Sequence, residues 1–501
     1  MAETKNIKKK LTPSQEYVFQ QIQEQINNFI DDLDYSNILL TGSAGTGKTF
    51  TICKCIYKLK KILQLNIPDK FNKFIQKETT KNTLTDEEET QNILNIIIIS
   101  PTHKAKNIIK NQYEEYITSK NYIFEKRGFG IYIDIKFWTI PRFLNMKQIY
   151  DKQGNSHFIY EDTNKSRNIT PFLFIDEAGM VNKEQAKKLL TTFSHVFKVF
   201  LGDEYQLLPV KEKNSHIFKE FKQKKLELTE IMRTGNKNLG KAYKLTRKFS
   251  MDMGQSDIYK LFYKLNRYII FCSSKHDFFN KIKENYDIER GDMCLTYSNI
   301  SKDKYNAEIR KQKINSPQKY SRGDRIIFDK FHKHKKDNEQ FKYLYPSDIF
   351  VIKNIDVQKH TIEQEDYDVY NMEIESICGN KEILYIKKVI DEPRYKKMIS
   401  KYKKNTKKYI EKHSEKIKQG CIQPSEIQTI WDNFYLHFNQ YNVPISHAYA
   451  LTIYKSQGST YENVFIDISN ITDCLYPRDK NQYSKAIYTS ITRAKKNVYI
   501  I

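Results

Sequence analysis

The 501-residue chain lacks any run of about 18 consecutive apolar residues, so no helical membrane span is expected. No apolar core follows Met1, which argues against a secretory leader. Cysteine is sparse, with seven residues scattered at 53, 55, 272, 294, 378, 421 and 474. Cys53 and Cys55 lie two apart on one predicted helix and so face different sides. No pair has zinc-ligand spacing with a second pair to match it. All seven are read as reduced thiols of an intracellular protein. Internal repeats and low-complexity linkers are absent, and no acidic cluster outside the motifs below suggests a separate metal centre.

Basic residues are abundant. Lys and Arg number 84 against 60 Asp and Glu, a formal net charge of +24. That excess favours a polyanionic partner, because paired phosphates release counterions. Lys, Asn, Ile and Tyr are all frequent, as an AT-rich genome produces, so coding bias accounts for part of the charge. The length exceeds one ordinary core and predicts two or more domains.

Gly42, Ser43, Ala44, Gly45, Thr46, Gly47, Lys48 and Thr49 form a complete G-x-x-x-x-G-K-[ST] phosphate loop. Its glycines let successive N–H groups curl toward phosphates. Lys48 can reach the β- and γ-phosphates, and the Thr49 hydroxyl can ligate Mg²⁺. A short apolar strand at 37–40 precedes the loop. A predicted helix over 50–63 follows, and its positive end adds to anion binding. A nucleoside triphosphate with Mg²⁺ is therefore the expected ligand.

Other segments support a parallel α/β core. Leu11 to Glu16 reads as a helix entry, with Thr12 as N-cap and Pro13 in the first turn. Residues 65–92 are polar and read as a surface excursion. Residues 93–100 contain four consecutive isoleucines, the mark of a strand buried on both faces. Residues 171–175 and 196–201 repeat that pattern. Residues 146–162 hold two short β-prone runs around a Gly-containing turn, a hairpin. A second α/β region begins near 236, with strands at 292–297 and 464–468. Residues 331–390 are strand-rich, and 391–440 are helical and very basic, by default a solvated face.

The apolar strand Phe172–Ile175 ends in Asp176 and Glu177. Asp176 would hold Mg²⁺ and Glu177 would polarise the attacking water. Weak alone, the pattern is strong behind a complete phosphate loop. Gly202 to Val210 follows the next strand and contains Gln206, which can sense a γ-phosphate. Arg233 and Arg493 are candidates to meet phosphate, since arginine is permanently charged and forks across two oxygens.

The ordered set resembles superfamily 1 helicases, and within them the B group of RecD/Dda-like and Pif-like enzymes, across residues 11–501. By this resemblance Gln15 matches the adenine-contacting glutamine, Gly42 to Thr49 motif I, and Ser100 to Lys106 motif Ia. Trp138 to Leu144 resembles motif Ib, with Pro141 where His is usual. Asp176 and Glu177 are motif II, Gly202 to Val210 motif III, and Arg233 falls in motif IV. Tyr449 to Thr460 resembles motif V, with Tyr454 in place of a His, and Tyr488 to Lys495 resembles motif VI.

The resemblance implies two RecA-like parallel-sheet cores with ATP in the cleft between them. It also implies a β-hairpin pin insertion and an SH3-like plus helical insertion. The expected boundaries are 1–235 for the first core, including the 146–162 pin, 236–330 with 441–501 for the second, and 331–440 for the insertion. Lys48, Glu177, Gln206, Arg233 and Arg493 would be catalytic. Gln15, the phosphate loop and Gly458 would bind nucleotide, and Thr49 and Asp176 the metal. Thr102, His103, Thr139, Thr452, Lys455 and Ser456 would contact a nucleic-acid strand, mostly at phosphates. Phe137 and Trp138 would stack on bases or pack in the core. Tyr150, His157 and Phe158 would lie at the tip or flank of the pin. The basic 391–440 helices would bind nucleic acid or brace that pin.

The implied activity is an ATP-dependent DNA helicase moving 5′ to 3′ on single strands and opening duplex junctions, with replication or repair proteins as further partners. An RNA helicase is the near alternative, because only a 2′-OH contact separates the two. A nucleic-acid-binding adaptor with an inert nucleotide fold is the other. Intact Lys48, Asp176, Glu177 and Arg493 oppose the adaptor.

Overall fold

A computed structural model describes residues 10–81, 88–119, 131–161, 169–209, 212–221, 225–314, 316–335, 341–346, 348–377, 381–418 and 424–501. The chain divides into two compact units. The first comprises residues 1–145, 162–298 and 452–501; the second comprises 146–161 and 299–451.

The first unit holds two parallel sheets. In the larger, the strands Glu88–Ser100, Phe172–Ile175, Phe197–Gly202, Ile38–Gly42 and Lys225–Leu228 lie side by side, all parallel. Ile131–Thr139 also runs parallel to Glu88–Ser100. The isoleucine run explains the central position of Glu88–Ser100. Ile96 to Ile99 are at most 1% exposed, so both faces of the strand are covered. Helix Pro13–Ile30 opens with a capping box between Thr12 and Gln15. Helix Lys48–Leu65 follows the phosphate loop directly. In the second sheet Ile270–Phe271, Ala494–Ile500, Tyr461–Ile466 and Met293–Thr296 are parallel neighbours.

In the second unit, the antiparallel strands Ile383–Val389, Glu365–Ser376, Ile349–Ile362, Arg325–Phe328 and Ile445–His447 form one sheet. Two small hairpins, Met146–Tyr150 with Ser156–Tyr160 and His332–Lys335 with Phe341–Leu344, stand apart from it. The helices Glu392–Lys418 and Pro424–Asn439 bury Tyr395, Ile410, Trp431 and Phe438 against Ile362, Tyr367, Val369 and Val389 of the sheet. Among the described residues no helix is long and apolar enough to cross a membrane.

Three expectations change. The 65–92 excursion is largely ordered: a 3-10 helix, Asp69–Phe74, leads into Ile75–Lys81, which pairs antiparallel with Glu88–Ser100. Buried Phe71 and Phe74 anchor it, a signal diluted by the polar residues between them. Residues 82–87 lie outside the described residues.

The second change is the boundary near 330. It moves back to 299, and 441–451 leave the second core with it. The cause is strand pairing: Ile326 and Ile327 pair antiparallel with Phe350 and Ile349 on one side and with His447 and Ser446 on the other.

The third concerns the 146–162 hairpin, which belongs with the second unit rather than the first core. Tyr150 stacks on Tyr435 at 5.0 Å. Gly154 lies so close to Trp431 that an added Cβ would stand 2.7 Å from its ring. Lys403 Nζ and Tyr435 Oη both donate to the Gly154 carbonyl, at 3.2 and 2.6 Å. Asp162 is outside the described residues.

Candidate active site

In a parallel sheet, ligands bind where the carboxyl ends of the strands converge. Here the ends of Ile38–Gly42, Phe172–Ile175, Phe197–Gly202 and Lys225–Leu228 present, in turn, the phosphate loop, Asp176, Asp203 and the segment leading to Arg233. The register fixes their alignment: Thr41 lies opposite Gly202, Gly42 opposite Leu228 and Ile175 opposite Phe200.

The phosphate loop is shaped by glycine where its neighbours leave no room. Gly45 has φ +82°, and a Cβ there would meet Arg233 Cβ at 2.2 Å. The Gly45 carbonyl accepts from the amides of Met232 and Arg233, at 2.7 and 3.0 Å. Arg233 is thus tied to the loop through its own main chain. Lys48 donates from Nζ to the carbonyls of Gly42 and Ser43, at 2.7 and 3.1 Å. Burial lowers the Lys48 pKa, and Asp203 and Glu177 oppose that shift. Gln15 donates to the Thr46 carbonyl at 3.0 Å and accepts from the Thr12 amide at 3.1 Å. It is therefore anchored on the loop that would hold the triphosphate.

Asp176 is buried. Burial first, then the neighbouring Glu177 charge, raise its carboxyl to about 7. A divalent cation relieves both causes, so Asp176 with Thr49 fits Mg²⁺ on the chemistry of the donors. Glu177 adopts φ +49° and ψ +45°. A non-glycine residue in that left-handed region stores about 1–3 kcal/mol, and such strain gathers at functional sites. Gly458, with φ +74°, comes close enough that an added Cβ would stand 4.0 Å from Glu177 Oε1.

Arg493 is 1% exposed. Its guanidinium donates to Gln206 Oε1 at 3.2 Å, Thr489 O at 3.0 Å, Ser459 O at 3.3 Å and Thr492 Oγ1 at 3.2 Å. Burial first, then nearby Arg233, push its pKa down to about 10, while Glu177 pulls the other way. Arg233 Nη1 donates to the Thr492 carbonyl at 2.7 Å. Both arginines, Gln206 and Glu177 thus belong to one connected cluster.

Sequence reasoning missed several connecting residues. Tyr488 Oη accepts from the Ala44 amide at 3.0 Å and donates to Asp203 Oδ2 at 2.7 Å. Asp203 also accepts from Gln206 Nε2 at 3.2 Å. Thr489 Oγ1 accepts from the Leu207 amide, and Gln457 Nε2 donates to the Leu207 carbonyl, both at 3.1 Å. Asp203, Gln457, Tyr488 and Thr489 all lie inside recognised motifs, but nothing in their spacing marks which neighbour is a partner. Val210, at the end of motif III, lies outside the described residues.

The strand-contact candidates divide. Thr102, Thr139 and Thr452 are each an N-cap, accepting from Ala105, Arg142 and Lys455 amides. Only Thr102 opens a long helix, His103–Thr118, whose N-terminal end favours anions; Thr139 and Thr452 cap four-residue turns, Ile140–Phe143 and Ile453–Ser456. Trp138 is half-buried with the Arg142 guanidinium 4.8 Å over its ring, and half-buried Phe137 lies 5.8 Å from Tyr113. Lys455 is partly exposed. Burial, with Lys106 and Arg142, holds His103 down to about 3, so it is neutral at ordinary pH. Ser456 is fully buried and donates to the Ile453 carbonyl at 2.7 Å, so its hydroxyl shapes the turn instead of facing a strand. In the second unit Tyr150 is turned onto Tyr435, whereas Phe158 is 61% exposed and His157 lies 3.4 Å from Asp151.

Comparison with known proteins fits this site. Residues 25–212 match the AAA domain family, and residues 447–501 match the UvrD-like helicase C-terminal domain. The chain is an ATP-hydrolysing helicase. The first match carries the phosphate loop, Asp176, Glu177 and Gln206; the second carries Gly458 and Arg493. An uncharacterized protein of Acanthamoeba polyphaga mimivirus is 24% identical, covering 94% of this chain and 96% of that one. An uncharacterized protein of Methanocaldococcus jannaschii is also 24% identical over 92% of this chain, which spans only 36% of that relative. Solved structures of Pif1 helicases are similar in shape over 98% of this chain. A Bacteroides Pif1 with ADP-AlF3 and single-stranded DNA gives 13% identity, 92% of that chain covered and a TM-score of 0.45. Pif1 of Candida albicans gives 15%, 94% and 0.42.

Proposed function

We propose that this helicase belongs to the Pif-like B group, translocates 5′ to 3′ on single-stranded DNA, and opens duplex ahead of it. The observation that carries the reading is the Arg493 cluster. A buried guanidinium from one parallel sheet bonds Gln206 from the other, beside Arg233 and the phosphate loop. Lys48 and the loop amides bind the triphosphate, and Thr49 and Asp176 would hold Mg²⁺, which neutralises phosphate charge. Glu177 orients the attacking water. Arg493 and Arg233 stabilise charge on the transferring phosphoryl group. Because Arg493 comes from the second sheet, nucleotide state and the relation of the two sheets are coupled. Thr102, Thr139 and Thr452 meet strand phosphates, Thr102 at the N-terminus of the helix His103–Thr118, and Phe158 meets the duplex end. Replication or repair proteins as partners and an intracellular site of action belong to the same reading.

ATP hydrolysis is measured with and without single-stranded DNA or RNA, and unwinding on duplexes with a 5′ or a 3′ tail. Stimulation by DNA, loss in Lys48→Ala and unwinding from the 5′ tail are expected. Preference for RNA, or for the 3′ tail, overturns the corresponding part of the proposal. Absence of hydrolysis with any strand overturns the whole.

A further inference from the structure

The small hairpin of the second unit carries an exposed aromatic face with no part in the motor described above. In His332–Lys335 and Phe341–Leu344, Lys333 pairs with Tyr343 and Lys335 with Phe341. Alternation places 333, 341 and 343 on one face, with 331 and 345 continuing it. The other face holds His332 and Leu344, 3% and 1% exposed, and covers the unit's core. A hairpin with one face buried normally turns polar residues outward. This one turns aromatic rings outward: Phe331, Phe341 and Tyr343 are 46%, 39% and 47% exposed.

The rings form a ladder. Phe331 stacks on Tyr343 with centroids 5.7 Å apart and planes 18° apart, and Tyr345 lies 5.5 Å from Phe331. Lys333 Nζ sits 4.0 Å from the Phe341 centroid, bringing an ammonium to the edge of the ladder. Among the described residues Lys330 and Lys333 are exposed beside the rings, and none of residues 331, 333, 341, 343 and 345 is acidic. Exposed rings interleaved with lysines fit unpaired bases, which offer π-faces, joined by phosphates, which offer charge. An apolar protein partner would need no such lysines, and duplex DNA keeps its base faces stacked.

We propose that this face is an accessory single-strand site, where bases stack on Phe331, Tyr343 and Phe341 and Lys333 meets the backbone. It rests on the helicase reading only in that the chain must engage a strand; it does not require ATP.

The test uses the full chain and an oligothymidylate without nucleotide. Phe331→Ala with Tyr343→Ala is expected to weaken binding at least about tenfold. Phe331→Leu with Tyr343→Leu keeps apolar bulk and is expected to weaken it similarly, whereas Phe331→Trp with Tyr343→Trp restores it. Lys333→Gln is expected to lower the salt slope by roughly 0.7. Basal ATP hydrolysis stays at the wild-type rate. A 5-bromouracil-substituted strand is expected to crosslink to Tyr343 or Phe331. If wild type binds the strand and the alanine and leucine variants bind equally well, the accessory site is refuted and the helicase reading stands. If wild type binds no strand, the helicase reading fails with it.

Discussion

Replacing Arg493 with Met separates chemistry from folding. The guanidinium is 1% exposed, and its pKa is pushed down to about 10, chiefly through burial. That fall corresponds to roughly 3 kcal/mol disfavouring the cation. Met keeps most of the volume and removes the charge. It leaves Gln206 Oε1, Thr489 O and Ser459 O without this donor, which costs about 1–3 kcal/mol each in an unrelaxed site. The two effects oppose each other: about 3–9 kcal/mol lost over the three acceptors against roughly 3 kcal/mol relieved leaves a net destabilisation between near zero and about 6 kcal/mol, read as a lowered melting temperature. The chemical effect is one-sided. An arginine stabilising phosphoryl charge is worth about 10³–10⁵ in kcat, roughly 4 kcal/mol or more. Strand-stimulated ATP hydrolysis at saturating ATP is therefore expected to fall at least about 10³-fold while the fold survives. Arg493→Lys is expected to fall nearly as far, since an ammonium lacks the fork. A kcat within tenfold of wild type would refute the reasoning. So would a Met variant that is unfolded, because Arg493 would then be a structural anchor.

Three further outcomes follow from the same geometry. Gly45→Ala forces a side chain onto φ +82° and against Arg233. It is expected to cost about 1–3 kcal/mol and raise KM for ATP, and wild-type melting and KM would contradict it. His103 is held neutral in the fold, down to about 3 from 6.5, so the unfolded chain binds a proton that the native chain does not as pH falls below 6.5. Native stability contributed at neutral pH is then lost on acidification, by roughly 2 kcal/mol between pH 6.5 and 5. Denaturant midpoints at both pH values should show that loss in wild type and a smaller one in His103→Gln; equal slopes would exclude it. Gly154→Ala pushes the hairpin off Trp431. Duplex unwinding is expected to drop while single-strand-stimulated ATP hydrolysis persists, and parallel loss of both would show that the hairpin does not act on the duplex.

The sequence made legible what local chemistry dictates. A phosphate loop needs glycines and Lys48 at fixed spacing, and four isoleucines in a row leave few options but a doubly covered strand. The parallel cores follow from such runs. What stayed hidden depends on contacts distant along the chain. Asp203 reads as an ordinary turn acid, and only the fold brings it 2.7 Å from Tyr488 Oη, 285 positions away. Phe71 and Phe74 were lost among lysines, so an antiparallel edge strand read as a loop. Ser456 was legible as a motif residue but not as a buried one, because a serine's spacing does not say which way its hydroxyl turns.

The hairpin shows the same limit in functional form. Tyr150, His157 and Phe158 read alike in sequence, as aromatic or ring residues near one turn. The fold assigns them different tasks, although Tyr150, opposite Ser156, and Phe158, opposite Gln148, lie on the same face of the hairpin. Tyr150 spends its ring on Tyr435, and Gly154 admits Trp431 where any side chain would collide. Those contacts hold the strands against the helices, so that Phe158, 61% exposed, stands on a seated hairpin rather than a loose one. A wedge that meets a base pair needs that seating, since a mobile one loses in ordering entropy what it gains in contact. On the proposed function, the seated turn of the hairpin is therefore as much a determinant of unwinding as the exposed Phe158 ring. Phe158→Ala and Gly154→Ala should consequently fail in the same assay, one by removing the wedge and the other by releasing it.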